Sequence, residues 1–242
     1  MSSCAWRAFD LVLGLPRLAA GYLAAHVNPT WTRLYAARTQ QVYTVPRAAA
    51  SSQLANARAR EEGGTALKMG GGRRRPNIMI TGTPGTGKTT TAQLVAETTG
   101  LRHVNVGDVV REKRLYSERD EEYDALILDE DRVVDELEDA LAEGGCVVDH
   151  HGCNFFPEDA FDAVVVLRTD NTILYERLET RGYAAHKVQE NVQCEIMMVL
   201  VEEAMSSFPH ERVLVLDSNT MDDLERNVGQ IVSFVEQFQR SS

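Results

Sequence analysis

The stretch ITGTPGTGKTTT, residues 80–91, decides the fold of this 242-residue chain. Its segment from Gly82 to Thr89 fits the pattern G-x-x-x-x-G-K-[ST] and lies between a β-rich run and a segment of helical period. The glycines of such a loop let backbone N–H groups turn around a phosphate, and the helix that follows adds the positive end of its dipole. The pattern predicts a nucleoside triphosphate site, with Lys88 reaching the β- and γ-phosphates and Thr89 holding Mg²⁺ through its hydroxyl.

Apolar, β-branched runs alternate with longer segments of helical period from Pro76 onward. This alternation predicts a parallel sheet with helices on both faces. The predicted strands are 77–82, 102–107, 146–151, 163–168 and 212–217, and the predicted helices are 89–99, 128–142, 172–180, 188–206 and 222–239. The expected fold class is therefore α/β, with five short strands.

The charge of the chain is divided unevenly along its length. Residues 1–72 contain eight Lys and Arg against three Asp and Glu, whereas residues 73–242 contain 17 against 33. A region that acidic repels a bare phosphate backbone, so a nucleic-acid role would need a local basic patch or a protein partner. We expect no direct, specific nucleic-acid site.

The first 72 residues have the composition of a separate region. Residues 1–60 contain seven Arg, no Lys and one acidic residue, which is typical of an organellar transit peptide. A disordered tail and a translation start at Met69 are alternative interpretations, and the sequence does not choose among the three. We predict a low-order, Arg-rich extension over 1–72 and one α/β domain over 73–242.

Two further features concern the compartment. The apolar run 8–27 is interrupted by Asp10, Pro16 and Arg17, which oppose insertion into a bilayer, so no membrane contact is expected. The sequence has no recognisable secretory signal, and its four cysteines are widely scattered, which predicts free thiols in a reducing compartment. These cysteines are Cys4, Cys146, Cys153 and Cys194.

Transfer of a phosphoryl group requires a second site that holds the acceptor beyond the γ-phosphate. Asp108 and Arg111 lie three residues apart at the start of a predicted helix and should therefore point the same way. Arg111 could bind an acceptor phosphate through two hydrogen bonds. The alternative is an ordinary exposed arginine on a helix.

The end of the third predicted strand carries a second group of polar residues. Asp149 ends a buried apolar run, a typical place for a carboxylate that reaches Mg²⁺ through water. The run that follows, His150, His151, Gly152 and Cys153, could instead suggest zinc. Adjacent residues on a strand point to opposite sides, and no second pair of ligands has metal spacing, so we favour magnesium.

A cationic connection follows the fourth predicted strand. Arg177, Arg181 and Lys187 surround a short segment containing Gly182. They could form a mobile flap that closes over a triphosphate. Ordinary solvated charges at the end of a helix are the alternative.

Eight blocks in order give the chain a resemblance to a known family. Over about 77–239 it resembles the adenylate kinase isoenzyme 6 family, also described as coilin-interacting nuclear ATPase protein. Nothing in residues 1–72 matches that family. The blocks are GTPGTGKTT (82–90), NVGD (105–108), DEEYD (120–124), ILDEDRVVDEL (127–137), VVDHHGC with FFPE (147–158, Asn154 between them), VLRTD (166–170), LYERLETRGY (174–183) and QCEI (193–196).

The resemblance implies a P-loop nucleoside monophosphate kinase fold with sheet order 2-3-1-4-5. It implies transfer of the γ-phosphate from ATP to AMP or related monophosphates with Mg²⁺, together with ATPase activity. It also implies a monomer that acts in maturation of the small ribosomal subunit through a small-subunit ribosomal protein, in the nucleus and cytoplasm. A mitochondrial location is the alternative if the extension is a transit peptide.

The same resemblance assigns roles to individual positions. Segment 105–128 corresponds to the monophosphate-binding segment and 180–190 to the lid. Asp149 falls on the Walker B position, and His151 on a histidine linked to ATP turnover, although it could also be a structural imidazole. Arg181 contacts ATP, whose loop is formed by Gly85, Gly87, Lys88, Thr89 and Thr90.

The chain departs from the family pattern at two places. Position 150 is His where the pattern has Tyr, which could alter hydrogen bonding around His151. The lid has a single Lys187 after Tyr183, so few cations are available and slow turnover is expected.

Two other functions use the same loop. The chain could be an ATP-driven ribosome assembly factor in which kinase activity is incidental. It could also be a small-metabolite kinase, such as a shikimate or gluconate kinase, but the blocks between 129 and 154 match a different family.

Overall fold

The computed structural model describes residues 73–120 and 125–241. The predictions for the extension, 1–72, lie outside this part, as do residues 121–124 of the expected monophosphate-binding segment. None of the helices in the described ranges has the length and apolar character needed to cross a bilayer. Cys146, Cys153 and Cys194 are free thiols.

Two groups of strands form the sheets. The strands are β1 (Ile78–Gly82), β2 (Arg102–Asn105), β3 (Tyr116–Asp120), β4 (Ala125–Leu128), β5 (Cys146–Asp149), β6 (Ala163–Arg168) and β7 (Val213–Asp217). Five of them form a parallel sheet in the order β2-β5-β1-β6-β7. The other two, β3 and β4, pair with each other in antiparallel fashion.

The order of the parallel sheet agrees with the expected fold. Counted among themselves, its strands have the order 2-3-1-4-5. The labels β5, β6 and β7 are higher than 3, 4 and 5 because the two strands of the β3–β4 hairpin come before them in the sequence. The sequence analysis did not predict this hairpin, since the polar run YSERD of β3 lacks the apolar character that identified the other strands.

Seven α-helices lie within the described residues. They are α1 (Lys88–Thr99), α2 (Val106–Lys113), α3 (Glu130–Glu143), α4 (Asn171–Thr180), α5 (Ala185–Ile196), α6 (Val199–Ser207) and α7 (Met221–Ser241), with a short 3-10 turn at His210–Arg212. The single helix predicted over 188–206 is wrong. Met198 adopts a left-handed φ of 55° that ends α5 and starts α6, although apolar residues continue through the break at helical spacing.

The central strands are buried on both faces, as the run of β-branched residues predicts. Successive side chains alternate between faces. Met79 and Val148 pack with Val133 of α3 in one apolar cluster. Ile80 and Val147 pack with α1 and α7 in the other. The sheet is therefore the middle layer of three, and the strand ends are where polar side chains gather.

Asn77 joins three elements at the amino edge of the sheet. Its Nδ2 donates to the carbonyls of Leu141 (2.7 Å) and Ala160 (3.0 Å), and its Oδ1 accepts from the N–H of Cys146 (3.1 Å). Its own N–H donates to the buried carboxylate of Asp162 at 2.9 Å. This network satisfies backbone groups that the sheet itself leaves unpaired.

Candidate functional site

The phosphate loop connects β1 to α1 at the carboxyl edge of the sheet. Gly85 has φ of 100°, and a Cβ there would lie 2.8 Å from Cδ1 of Leu174. Gly87 has φ of 92° and precedes α1 without a side chain to cap it. The first N–H groups of that helix thus have no side-chain cap, which is the arrangement that binds phosphate in other proteins.

Lys88 lies at the start of α1 and is half-buried. Its ammonium group donates to the carbonyls of Gly82 (2.8 Å) and Thr83 (3.1 Å), both in the loop. Burial lowers the pKa of Lys88 to about 8, with Asp149 opposing this effect and Arg181 adding to it. An anion bound in the loop would favour the charged form of this side chain.

The carboxylate of Asp149 ends β5 and is only 3% exposed. Its Oδ1 accepts from the Thr89 hydroxyl at 3.3 Å. Its Oδ2 accepts from Asn105 Nδ2 at 2.9 Å and lies 3.1 Å from His103 Nε2. A hydroxyl beside a carboxylate is a donor set that suits Mg²⁺, which also takes waters and substrate phosphates as ligands. Thr89 and Asp149 therefore fit the predicted metal.

The two histidines after Asp149 have different surroundings. His150 is buried, and burial together with the neighbouring charges of His151 and Lys88 lowers its pKa well below the usual value. It is therefore a neutral imidazole at pH 7. His151 is exposed, its carbonyl accepts from the Thr81 hydroxyl at 2.7 Å, and the two rings lie 4.1 Å apart. No cluster of three or more His, Cys, Asp or Glu with metal geometry occurs within 73–120 and 125–241.

The residues predicted to hold the acceptor lie on α2. Asn105 caps this helix, because its Oδ1 accepts from the N–H of Asp108 at 3.0 Å. Arg111 forms an exposed ion pair with Asp108 across one turn, as the spacing of three residues predicts. The predicted segment 105–128 comprises α2 and the β3–β4 hairpin, which brings Leu126 and Leu128 near Arg111.

The three cations of the expected flap have different surroundings. Arg177 donates to the carbonyls of Ser218 (2.9 Å) and Asn219 (2.7 Å), and so braces the loop after β7. A longer contact of 3.4 Å joins it to the carbonyl of Gly85 in the phosphate loop. Arg181 and Lys187 instead line the cavity. Segment 180–190 spans the end of α4 and the start of α5.

Glu195, near the end of α5, is a site residue that sequence analysis missed. It is 2% exposed, and its carboxylate accepts from the hydroxyl of Thr83 in the phosphate loop at 2.5 Å. It also accepts from Arg168 Nε at 2.5 Å and from the N–H of Thr169 at 3.0 Å. The helix that follows the lid segment is therefore tied to the phosphate loop through one buried carboxylate.

His103 and Asn105 were also missed. An asparagine before a helix is a recognisable capping signal, but the sequence does not indicate that its amide reaches Asp149. The contact of His103 depends on the pairing of β2 with β5, which places Asn105 beside Asp149. The spacing of residues along the chain does not reveal which strands pair.

One cavity of about 620 Å³ brings most of the predicted residues together. Its lining comes from the phosphate loop, the end of β5, α2 and segment 180–190. Lys187 and Tyr183 both line the cavity, with Lys187 Nζ 5.1 Å from the centre of the Tyr183 ring. The predicted residues that line it are Gly85, Gly87, Lys88, Thr89, Thr90, Arg111, Asp149, His151 and Arg181, with His150 beside them.

Comparison with known proteins gives consistent results. Residues 78–198 match a family model described as an AAA domain. Three proteins named adenylate kinase isoenzyme 6 homolog are also similar to this chain. The one from Dictyostelium discoideum is 49% identical over 68% of this chain and 94% of its own length. The one from Schizosaccharomyces pombe is 48% identical over 69% and 95%, and the one from Caenorhabditis elegans 48% identical over 69% and 92%.

Proposed function

This chain belongs to the adenylate kinase isoenzyme 6 family, and we propose that it transfers the γ-phosphate of ATP to AMP or a related nucleoside monophosphate. A P-loop nucleotide kinase is what the fold and the names of its relatives support. The observation that carries the finer proposal is the single cavity lined by both Lys88 of the phosphate loop and Arg111 of α2.

Direct transfer requires the two nucleotides to lie end to end. The cavity suits this requirement, because cations line it at both the triphosphate loop and α2. Its volume lies within the range of about 300–1,000 Å³ that is typical of ligand sites. Val110, Leu126 and Leu128 supply an apolar surface near Arg111, which would suit the base of the acceptor.

The chemistry rests on positioning and charge rather than on a general base. Lys88 and Arg181 would neutralise charge on the transferring phosphoryl group, and Arg111 would hold the acceptor phosphate. Thr89 and Asp149 would hold Mg²⁺, which would supply positive charge against the phosphates. When no acceptor is bound, water could take its place, so we propose ATP hydrolysis as a slower second activity, with His151 positioned beside Asp149 to orient that water.

Replacing Arg111 tests the acceptor assignment. Arg111→Ala should lower ADP formation from ATP and AMP by about 100-fold or more, the loss typical of one preorganised charged donor. ATP hydrolysis without AMP should persist. Arg240→Ala is the matched control, because Arg240 forms an exposed ion pair with Glu236 on α7. If Arg111→Ala phosphorylates AMP at the wild-type rate, the acceptor site lies elsewhere.

We propose a role in small ribosomal subunit maturation as a second function, in the nucleus and cytoplasm. Its support is the family resemblance and the excess of acidic residues over 73–242, which would attract a basic ribosomal protein. Binding of a purified small-subunit ribosomal protein should weaken steeply with added salt. Arg111→Ala separates the two functions in cells, because it should lose AMP phosphorylation and keep ATP hydrolysis. Cells that carry only this variant should grow normally if growth depends on ATP hydrolysis alone, and poorly if growth depends on AMP phosphorylation.

A further inference from the structure

Asn105 has two hydrogen-bonding roles at once. Its Oδ1 accepts from the N–H of Asp108 at 3.0 Å and caps α2, the helix that carries Arg111. Its Nδ2 donates to Asp149 Oδ2 at 2.9 Å. One half-buried amide therefore joins the start of the acceptor helix to the carboxylate beside the phosphate loop.

Asp149 connects Asn105 to the phosphate loop, because both of its carboxylate oxygens accept hydrogen bonds. His103 and Asn105 both hold Oδ2, which leaves Oδ1 directed to the Thr89 hydroxyl at 3.3 Å. The carboxylate is 3% exposed and hydrogen-bonded on both oxygens. A change in its orientation at the triphosphate side must therefore change the hydrogen bond that Asn105 makes.

The start of α2 is closely packed around the same side chain. A Cβ added at Gly107 would lie 3.2 Å from Asn105 Oδ1 and 3.5 Å from Arg111 Nη1. The cap and the guanidinium group thus border the same small space. Movement of Asn105 relative to α2 would be transmitted to Arg111 through Asp108, whose N–H donates to Asn105 and whose carboxylate pairs with Arg111.

We propose that Asn105 is a positioning residue that couples the triphosphate site to the acceptor site. Occupation of the phosphate loop fixes Asp149 and Thr89, Asp149 holds the amide of Asn105, and the other end of that amide holds the start of α2. Binding at one site then raises affinity at the other, and the coupling is reciprocal. This inference rests on the proposed function, because it requires a monophosphate bound at Arg111.

Two substitutions separate coupling from helix capping. Serine and threonine also cap helices. Their hydroxyls are too short to cap the helix and reach Asp149 as the longer amide of asparagine does. Asn105→Ser and Asn105→Thr therefore keep the cap and remove the bridge, whereas Asn105→Ala removes both. Asn154→Ser, at an exposed asparagine, is the matched control.

The test uses calorimetry on the full chain with AMP, in the absence and presence of Mg²⁺ and a non-hydrolysable ATP analogue. In wild type the analogue should tighten AMP binding about 5-fold or more, the lower end of typical coupling between sites. In Asn105→Ser and Asn105→Thr this factor should fall toward one, and in Asn154→Ser it should be unchanged. Urea unfolding of each variant checks that the fold persists.

The outcomes are distinct. A wild-type coupling factor in both capping variants would overturn the inference and leave the proposed function in place. A factor of one in the wild-type chain would do the same. If the wild-type chain binds the analogue and not AMP, the proposed acceptor function fails, and the coupling role of Asn105 fails with it.

Discussion

Two asparagine–aspartate pairs lie at opposite edges of the parallel sheet, and they are used differently. At the amino edge, Asn77 and Asp162 bind each other, and the Asn77 side chain bonds only to backbone groups. At the carboxyl edge, Asn105 and Asp149 bind each other and also bind side chains, those of Thr89 and His103. The amino-edge pair is fully buried, whereas the carboxyl-edge pair lines the cavity.

The difference separates stability from function. A buried backbone group without a partner costs free energy in the folded state, so a network that satisfies backbone groups is required for folding. Side chains that line a cavity can replace a hydrogen bond to each other with a hydrogen bond to a ligand. The amino edge should therefore respond to substitution mainly in stability, and the carboxyl edge mainly in ligand binding and turnover.

The largest effect is expected at the amino edge. Asn77→Ala removes hydrogen bonds to Leu141, Ala160 and Cys146 and leaves buried backbone groups unpaired. At about 1 to 1.5 kcal/mol for each, the free energy of unfolding should fall by about 4 kcal/mol. Urea unfolding measures it, with the exposed Asn154→Ala as control. If the free energy of unfolding falls by less than about 1 kcal/mol, Asn77 contributes little more than a surface residue, and the amino edge is not specialised for stability.

The next effect is on turnover, at the carboxyl edge. Lys88→Ala should cost on the order of 3 kcal/mol of transition-state stabilisation, by analogy with the loss of one preorganised donor. Its free energy of unfolding should be unchanged or higher, because burial already disfavours the charged form of Lys88 and lowers its pKa to about 8. Steady-state ADP formation and urea unfolding are measured on the same preparation. Wild-type rates with AMP would show that Lys88 is not at the reacting phosphate.

The contrast between the edges also explains what the sequence could reveal. The glycine and lysine spacing of the phosphate loop is local, so 82–89 alone predicts a triphosphate site, and apolar, β-branched runs correctly predicted all five strands of the parallel sheet. Asp149 was recognisable because it ends such a run.

Contacts between distant segments were not recognisable. Glu195 meets Thr83 across 112 residues, and Asn77 meets Asp162 across 85. Neither contact has a periodicity or a spacing of its own. The left-handed residue Met198 was missed for a related reason, since the apolar pattern on which helix prediction depends passes through it unchanged.

Glu195 sharpens the comparison, because it lies at the carboxyl edge but is enclosed like the amino-edge pair. Glu195→Gln removes the charge that faces Arg168 and should lower the free energy of unfolding by about 2 kcal/mol, the value of a hydrogen bond to a charged group. ATP affinity should fall as well, since Thr83 belongs to the phosphate loop. Calorimetry and urea unfolding measure the two effects, with the exposed Glu225→Gln on α7 as control. Loss of affinity without loss of stability would place Glu195 with the cavity side chains.

The smallest effect concerns Asp162, whose Oδ1 has no hydrogen-bond partner among the residues that the structure describes. Burial raises its pKa above the usual value, although the N–H of Asn77 and the charge of Arg73 oppose this. Protonation of Asp162 therefore stabilises the folded chain. That contribution is complete below the unfolded-state pKa and is lost as pH rises through the raised folded-state pKa.

Asp162→Asn imitates the protonated form at every pH. Its Oδ1 can still accept from the N–H of Asn77, but the variant gives up the long ion pair with Arg73, 3.5 Å, and the attraction of the Arg212 charge. At pH 7 the variant should equal or exceed wild type by up to about 1 kcal/mol in unfolding free energy, and the difference should vanish below about pH 4. Urea unfolding of both proteins from pH 4 to 8 measures this. A variant less stable at pH 7 would mean that the ion pair with Arg73 outweighs the cost of burying the charge, and the amino edge would then depend on electrostatics as the carboxyl edge does.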